Sequence, residues 1–121
     1  MFSPLAIEHI AVPRNVGPLE GATHQGIAGM PGDGPYMILW FQVEDGGRIA
    51  KAAYATYGCP AAVASGSITA SVLTGRTVEQ ALRLTAEDIL GVLQGLPEGK
   101  EECAQLAATA LQNAFREEKT R

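Results

Sequence analysis

The sequence predicts an α+β protein in which helices cover one face of a three-stranded antiparallel sheet. Three observations carry this expectation. Two β-branched and aromatic runs, Tyr36 to Glu44 and Arg48 to Tyr57, flank Asp45-Gly46-Gly47, which is hairpin chemistry. From Cys59 onward the apolar residues recur at spacings of three and four, as on helices. Strands and helices are therefore segregated along the chain, with one short helix ahead of the sheet.

That first helix follows from Ser3-Pro4 as cap and first-turn proline, with Leu5 to His9 behind them, and it must stop before Pro13. Pro13 to Pro18 is a loop. Ala22 to Gly29 reads as a weak strand because Gly26 interrupts it. A second irregular loop, Met30-Pro31-Gly32-Asp33-Gly34-Pro35, sets two glycines and two prolines around one carboxylate. In the next strand Met37, Leu39, Phe41 and Val43 share one face, and Tyr36, Ile38, Trp40 and Gln42 the other. Both faces are largely apolar, which marks a central strand or one that offers Trp40 and Tyr36 to a partner. The following strand pairs back antiparallel and breaks at Gly58.

Ala61, Ala64, Ile68 and Val72 form one face of the next helix, which ends at Gly75. Thr77 with Gln80 makes a capping-box pattern for a short helix, and Thr85 opens another carrying Ile89, Leu90 and Leu93 as far as Gly95. After the loop Leu96 to Gly99, a last helix from about Lys100 to Glu118 carries the stripe Cys103, Leu106, Ala107, Ala110, Leu111, Ala114 and Phe115.

The 121 residues suit one domain spanning 1–121, and 46% hydrophobic with 18% charged residues is the balance of a globular protein. No apolar run is long enough to cross a bilayer; Met37 to Phe41 is typical. The first ten residues lack the basic flank and apolar stretch of a secretory signal, so a cytoplasmic location is expected. Two cysteines in such a setting are expected as thiols. With a net charge of −4 and nine scattered basic residues, nothing marks a nucleic-acid surface.

The chain's most informative junction is Tyr57-Gly58-Cys59-Pro60, where strand passes to helix. Unpaired amides and the positive end of the helix dipole ease ionisation of a thiol there, and Pro60 fits the first helical position. Such a thiol suits metal ligation or sulfur chemistry, and a small residue at a tight turn looks the same. Asp33, Cys59, Glu102 and Cys103 together are a sensible ligand set for zinc or iron. Each also has an ordinary role: Asp33 in a turn, Glu102 against a helix dipole, Cys103 in an apolar stripe. His9 and His24 are isolated and read as solvated or capping residues. Ser65, Ser67, Thr69 and Ser71 have no nearby histidine to activate them, so a hydrolase is rejected.

The sequence resembles the iron-sulfur cluster scaffold family of IscU and the N-terminal domain of NifU. The resembling residues are His9 with Pro13 to Gly17, Tyr57-Gly58-Cys59 with Ala62, Ala64 and Ser65, Gly75-Arg76-Thr77 with Glu79 and Ala81, and Leu96-Pro97 with Lys100 and Cys103. They occur in family order across almost the whole chain. The resemblance implies the IscU-like and SufE-like α+β architecture. It also implies assembly of an iron-sulfur cluster for delivery to apo acceptor proteins, with a cysteine desulfurase supplying sulfur.

In the family, three cysteines and a histidine line one end of the molecule, with an aspartate beside the first cysteine. Cys59 matches the second cysteine and Cys103 the third. The first falls in the loop 31–35, where this chain has none: Asp33 either replaces it or is the family aspartate. Glu102 stands where the family has histidine. The loop Leu96 to Lys100 lacks the second proline and the valine of the chaperone-binding pattern, so chaperone recognition does not carry over. Two carboxylates for a thiolate and an imidazole make a harder, more anionic site, in which a cluster is more labile and zinc or a single ferrous ion is better tolerated. The alternative is thus a relative that binds zinc or the desulfurase without carrying a cluster.

Overall fold

The computed structural model describes residues 2–12, 15–30, 32, 34–97 and 99–116. Helix α1 (Pro4–Ala11) precedes strands β1 (His24–Gly29), β2 (Tyr36–Val43) and β3 (Ile49–Tyr57), and helices α2 (Pro60–Leu73), α3 (Val78–Leu82), α4 (Ala86–Val92) and α5 (Glu101–Ala114) follow. The sheet is an antiparallel meander in the order β1-β2-β3. Its registers place Leu39 opposite Gly26 and Tyr54, and Met37 opposite Ala28 and Thr56. The expected α+β layout and three-stranded sheet are both present.

One face of the sheet is the core. Met37, Leu39 and Phe41 are fully buried beneath α2 and α5, together with Leu73, Leu111 and Phe115. Phe41 and Phe115 meet at 4.9 Å between ring centroids with planes tilted by 37°. Helix α1 packs on α2, and α4 on α5. Val43, expected on the same face as Met37, Leu39 and Phe41, is only half-buried, at the point where the register shifts between Gln42 and Val43.

The glycine that makes β1 look weak is what allows the layers to close. A Cβ on Gly26 would lie 2.0 Å from the Ala110 carbonyl oxygen and 2.4 Å from the Ala114 amide nitrogen, so α5 runs directly on the strand backbone. Gly66 does the same for α2, where a Cβ would come within 2.4 Å of the Tyr54 ring.

Helix α2 corrects the expectation of a single apolar face. Ala61, Ala62, Ala64, Ser65, Gly66, Ser67, Ile68, Thr69, Ala70 and Leu73 are all buried, so the helix is enclosed on most sides. Its hydroxyls remain satisfied by bonding backward: Ser65 Oγ donates to the Ala61 carbonyl, Thr69 to Ser65 and Ser71 to Ser67. Two histidine expectations also change. His9 is fully buried, with Nδ1 2.6 Å from Ser67 Oγ, and fastens α1 to α2. A histidine does therefore stand beside a serine of α2, but both side chains are sealed in the core. His24 neither caps a helix nor stands free in solvent: it is half-buried, bonded to Thr23 Oγ1 and tilted against Phe115 at 5.0 Å.

On the outer face, Gly17 lies against Trp40 while its amide donates to the Tyr54 carbonyl at 2.7 Å. Trp40 is thus partly covered by the chain's own loop, and Tyr36 stacks on Tyr57 with centroids 6.3 Å apart. Both helix-opening patterns in the middle of the chain form complete capping boxes, Thr77 with Gln80 and Thr85 with Asp88. Helix α5 begins at Glu101, one residue past the expected start, and residues 117–121 lie outside the described residues.

Replacing Gly26 with alanine forces α5 away from the sheet. Gly26→Ala is expected to destabilise the protein by about 3 kcal/mol or more, at the upper end for overpacking, whereas Gly46→Ala, in the open hairpin, costs about 1 kcal/mol. Urea unfolding of the two variants checks the difference.

Candidate functional site

Because α2 starts where β3 ends, its N-cap residue, Cys59, sits at one end of the sheet. It is the last extended residue before Pro60, with φ −86° and ψ 172°. The close approach of α5 to Gly26 brings the first turn of that helix to the same end. Cys103 lies in this turn, its amide donating to the Lys100 carbonyl at 3.0 Å. The two sulfurs are 3.6 Å apart, and both residues are half-buried.

The thiols open into a cleft of about 680 Å³. Ala28, Gly29 and Pro35 form its sheet side, Gly58, Cys59 and Ala62 its junction side, and Lys100, Glu102, Cys103, Gln105, Leu106 and Thr109 its α5 side. Cys59, Glu102 and Cys103 thus share one cleft. Asp33 lies outside the described residues. Among the described residues, no group of three or more His, Cys, Asp or Glu side chains converges tightly enough to hold a metal ion.

The separation of the sulfurs is informative. Two thiolates on one tetrahedral ion, with metal–sulfur bonds of about 2.3 Å, lie about 3.8 Å apart along the tetrahedron edge. The observed 3.6 Å is close to that edge. Cys59 and Cys103 can therefore supply two corners of a tetrahedral centre with little movement, leaving two for oxygen donors or an incoming ligand.

The two thiols differ electrostatically. Burial disfavours the Cys59 thiolate, but hydrogen bonds from the Ala62 amide, the Cys103 thiol and the Ala61 amide, with the charge of Lys100, outweigh it and lower its pKa. Burial likewise acts on Cys103, and the hydrogen bond and charge of Cys59 and the charge of Glu102 act in the same direction. Against the weaker pull of Lys100, they push the Cys103 thiol up to about 12. Of the two thiols, Cys59 is the more readily ionised and Cys103 the one that keeps its proton.

Sequence reasoning did not name Gln105 or Thr109, and it read Leu106 only as part of the apolar stripe and Lys100 only as part of the resemblance, not as lining of the site. Gln105, Leu106 and Thr109 continue from Glu102 at spacings of three and four, which is the signal that would have placed them on one helical face. Cys103 stands at the border between that face and the buried stripe.

The family model for NifU-like N terminal domains matches residues 1–121. An iron-sulfur cluster assembly scaffold protein, IscU 1 of Archaeoglobus fulgidus, is 39% identical over 115 residues, covering 95% of this chain and 74% of the relative. The scaffold protein IscU of Azotobacter vinelandii is 36% identical over 121 residues, covering 98% of this chain and 94% of its own. A solved structure from Fervidobacterium islandicum AW-1, described as a candidate scaffold protein for the SUF system, superposes with a TM-score of 0.74 at 19% identity. It covers 94% of this chain and 96% of its own, and at that identity the likeness concerns the fold.

The lowered pKa puts reactive thiolate on Cys59 at a pH where Cys103 is still protonated. At pH 8, iodoacetamide is expected to modify Cys59 faster than Cys103, on the order of tenfold or more. In Cys59→Ser the Cys103 rate should rise, because the neighbouring negative charge is gone, and Lys100→Ala should slow Cys59. Peptide mapping of the time course checks all three.

Proposed function

The chain belongs to the family of NifU-like N-terminal domains, and from that premise we propose that it is a non-enzymatic scaffold-like protein of iron-sulfur cluster assembly, one domain over residues 1–121. The observation that carries this reading is the pair of sulfurs, 3.6 Å apart in an open cleft, at the two positions where the resemblance calls for cluster cysteines. Cys59 and Cys103 are the thiolate ligands, and Glu102 and Asp33 are the oxygen donors that complete the set. The cluster is cargo, built on the protein and passed to apo acceptor proteins. A cysteine desulfurase is the sulfur source, and the protein works in the cytoplasm; no described helix is long and apolar enough to cross a membrane.

Having two thiolates rather than three affects what is held. Cluster irons prefer sulfur donors, so a site with two thiolates and two carboxylates retains a cluster less firmly. Release to an acceptor then meets a smaller barrier. The tetrahedral-edge separation favours a second reading, in which the same residues hold one zinc or ferrous ion and the chain docks a desulfurase without a cluster.

Anaerobic incubation with ferrous iron and sulfide should give a visible chromophore that Cys59→Ala and Cys103→Ala each abolish, while Glu102→Ala shortens its lifetime. Metal analysis separates the readings, because the second predicts one zinc per chain with the same cysteine dependence and no chromophore. A product with neither colour nor cysteine-dependent metal contradicts both.

A further inference from the structure

Cluster sulfur is at the oxidation level of sulfide, whereas a persulfide carries it two electrons more oxidised. The donor therefore leaves a reduction to be done, and the cleft holds a reductant. We propose that Cys59 and Cys103 act as an internal dithiol that reduces sulfane sulfur, delivered as a persulfide or polysulfide, to sulfide. The step deepens the scaffold reading and rests on it for its biological use, although its chemistry needs no metal.

The geometry supports it in three ways. The sulfurs stand 3.6 Å apart, so closing them to a disulfide of about 2.0 Å takes about 1.6 Å of approach. Cys59 is an N-cap residue on extended backbone, outside the helix proper, so its side chain can turn without unwinding α2. The chain contains two cysteines, so one intramolecular pairing is available, and both line the same open cleft.

The reaction balances without a further redox partner. One thiol accepts a sulfur atom from the donor persulfide, which leaves as its thiol, and becomes a protein persulfide. The second thiol attacks the protein-bound sulfur of that persulfide. A sulfur–sulfur bond forms between Cys59 and Cys103, the bond to the terminal sulfur breaks, and the proton of the attacking thiol leaves with it as hydrogen sulfide. The terminal sulfur gains two electrons, and the two cysteine sulfurs lose one each. Exchange with an external dithiol, itself oxidised to a disulfide, restores the pair. In a site with a third thiol, reduction could leave a thiolate spare for iron. With two, sulfide release uses both ligands, so sulfur reduction and metal holding must alternate.

The test is anaerobic treatment of the metal-free, reduced chain with inorganic tetrasulfide in the absence of other thiols, read by intact mass and by thiol counting. Wild type should lose two hydrogens and both free thiols. Whichever of Cys59→Ser and Cys103→Ser takes up sulfur should keep it, as a gain of one or more sulfur atoms, and sulfide release should fall to the protein-free background. The proposal is overturned if wild type keeps persulfide as stably as the single variants, takes up no sulfur, or yields sulfide with both thiols intact. Because the wild-type product decides, the result does not depend on how well a variant folds. The scaffold reading stands or falls separately. A chain that binds cluster from supplied sulfide yet retains persulfide loses only this step, and one that forms the disulfide yet never binds metal loses only the scaffold reading.

Discussion

The arrangement depends on the absence of a side chain at Gly26. With the Ala110 carbonyl seated where a Cβ would stand, α5 lies as close to the sheet as backbone permits, and Gly66 lets α2 settle on Tyr54 in the same way. These two contacts fix the heights of the two longest helices above the sheet. Both helices begin at one end of it, and each carries a cysteine at its beginning. The sulfur pair is thus a consequence of packing far from the site: the alanine-rich buried face of α5 against a strand, rather than any local motif, determines where Cys103 arrives. Interiors of this density transmit displacement rather than absorb it. A helix lifted at Gly26 moves its N-terminal turn as well.

The same geometry points two helix N-termini at one cleft. Each contributes partial positive charge and unpaired amides, and the amides of Ala62 and Ala61 reach the Cys59 sulfur. Lys100 adds a full positive charge to the rim. Against these stand burial, the hydrogen bond and charge of Cys59 and, after them, the charge of Glu102, which together push the Cys103 thiol up. The cleft is therefore prepared for one negative charge and resists the second. A cation supplies what the second thiolate lacks, and that is the electrostatic reason for expecting cationic cargo there.

Much of the fold is legible in the sequence because its signals are local. Alternation in Tyr36 to Val43, the Asp45-Gly46-Gly47 turn and the two capping boxes all act over a few residues, and each recurs in the structure where the pattern lies. Legibility fails where the cause is distant. Gly26 weakens β1 by every local criterion, and its reason stands more than eighty residues away on α5. His9 looks solvent-facing until Ser67 of an enclosed helix is brought to it. For the site, the strand-to-helix junction identifies Cys59, and the resemblance pairs it with Cys103. Their 3.6 Å separation, the wall formed by Gln105, Leu106 and Thr109, and the influence of Lys100 belong to the closed structure alone.

The carboxylate of Glu102, which the resemblance puts where the family has an imidazole, acts on more than ligand hardness. Burial and Cys59 act first on the Cys103 thiol, and the charge of Glu102 adds to them in holding it up at about 12. Any cargo held through both sulfurs must then displace the Cys103 proton, so binding is coupled to proton release and apparent affinity rises with pH throughout the neutral range. The carboxylate offsets part of this cost only when it joins the coordination sphere and its charge is neutralised by the ion. Glu102 thus adds to what opposes the empty thiolate pair and, as the proposed ligand, favours the loaded one, which sharpens the contrast between the two states. In the proposed scaffold role that contrast assists release: once an ion departs, repulsion among the three anionic groups draws a proton back to Cys103 and disfavours recapture.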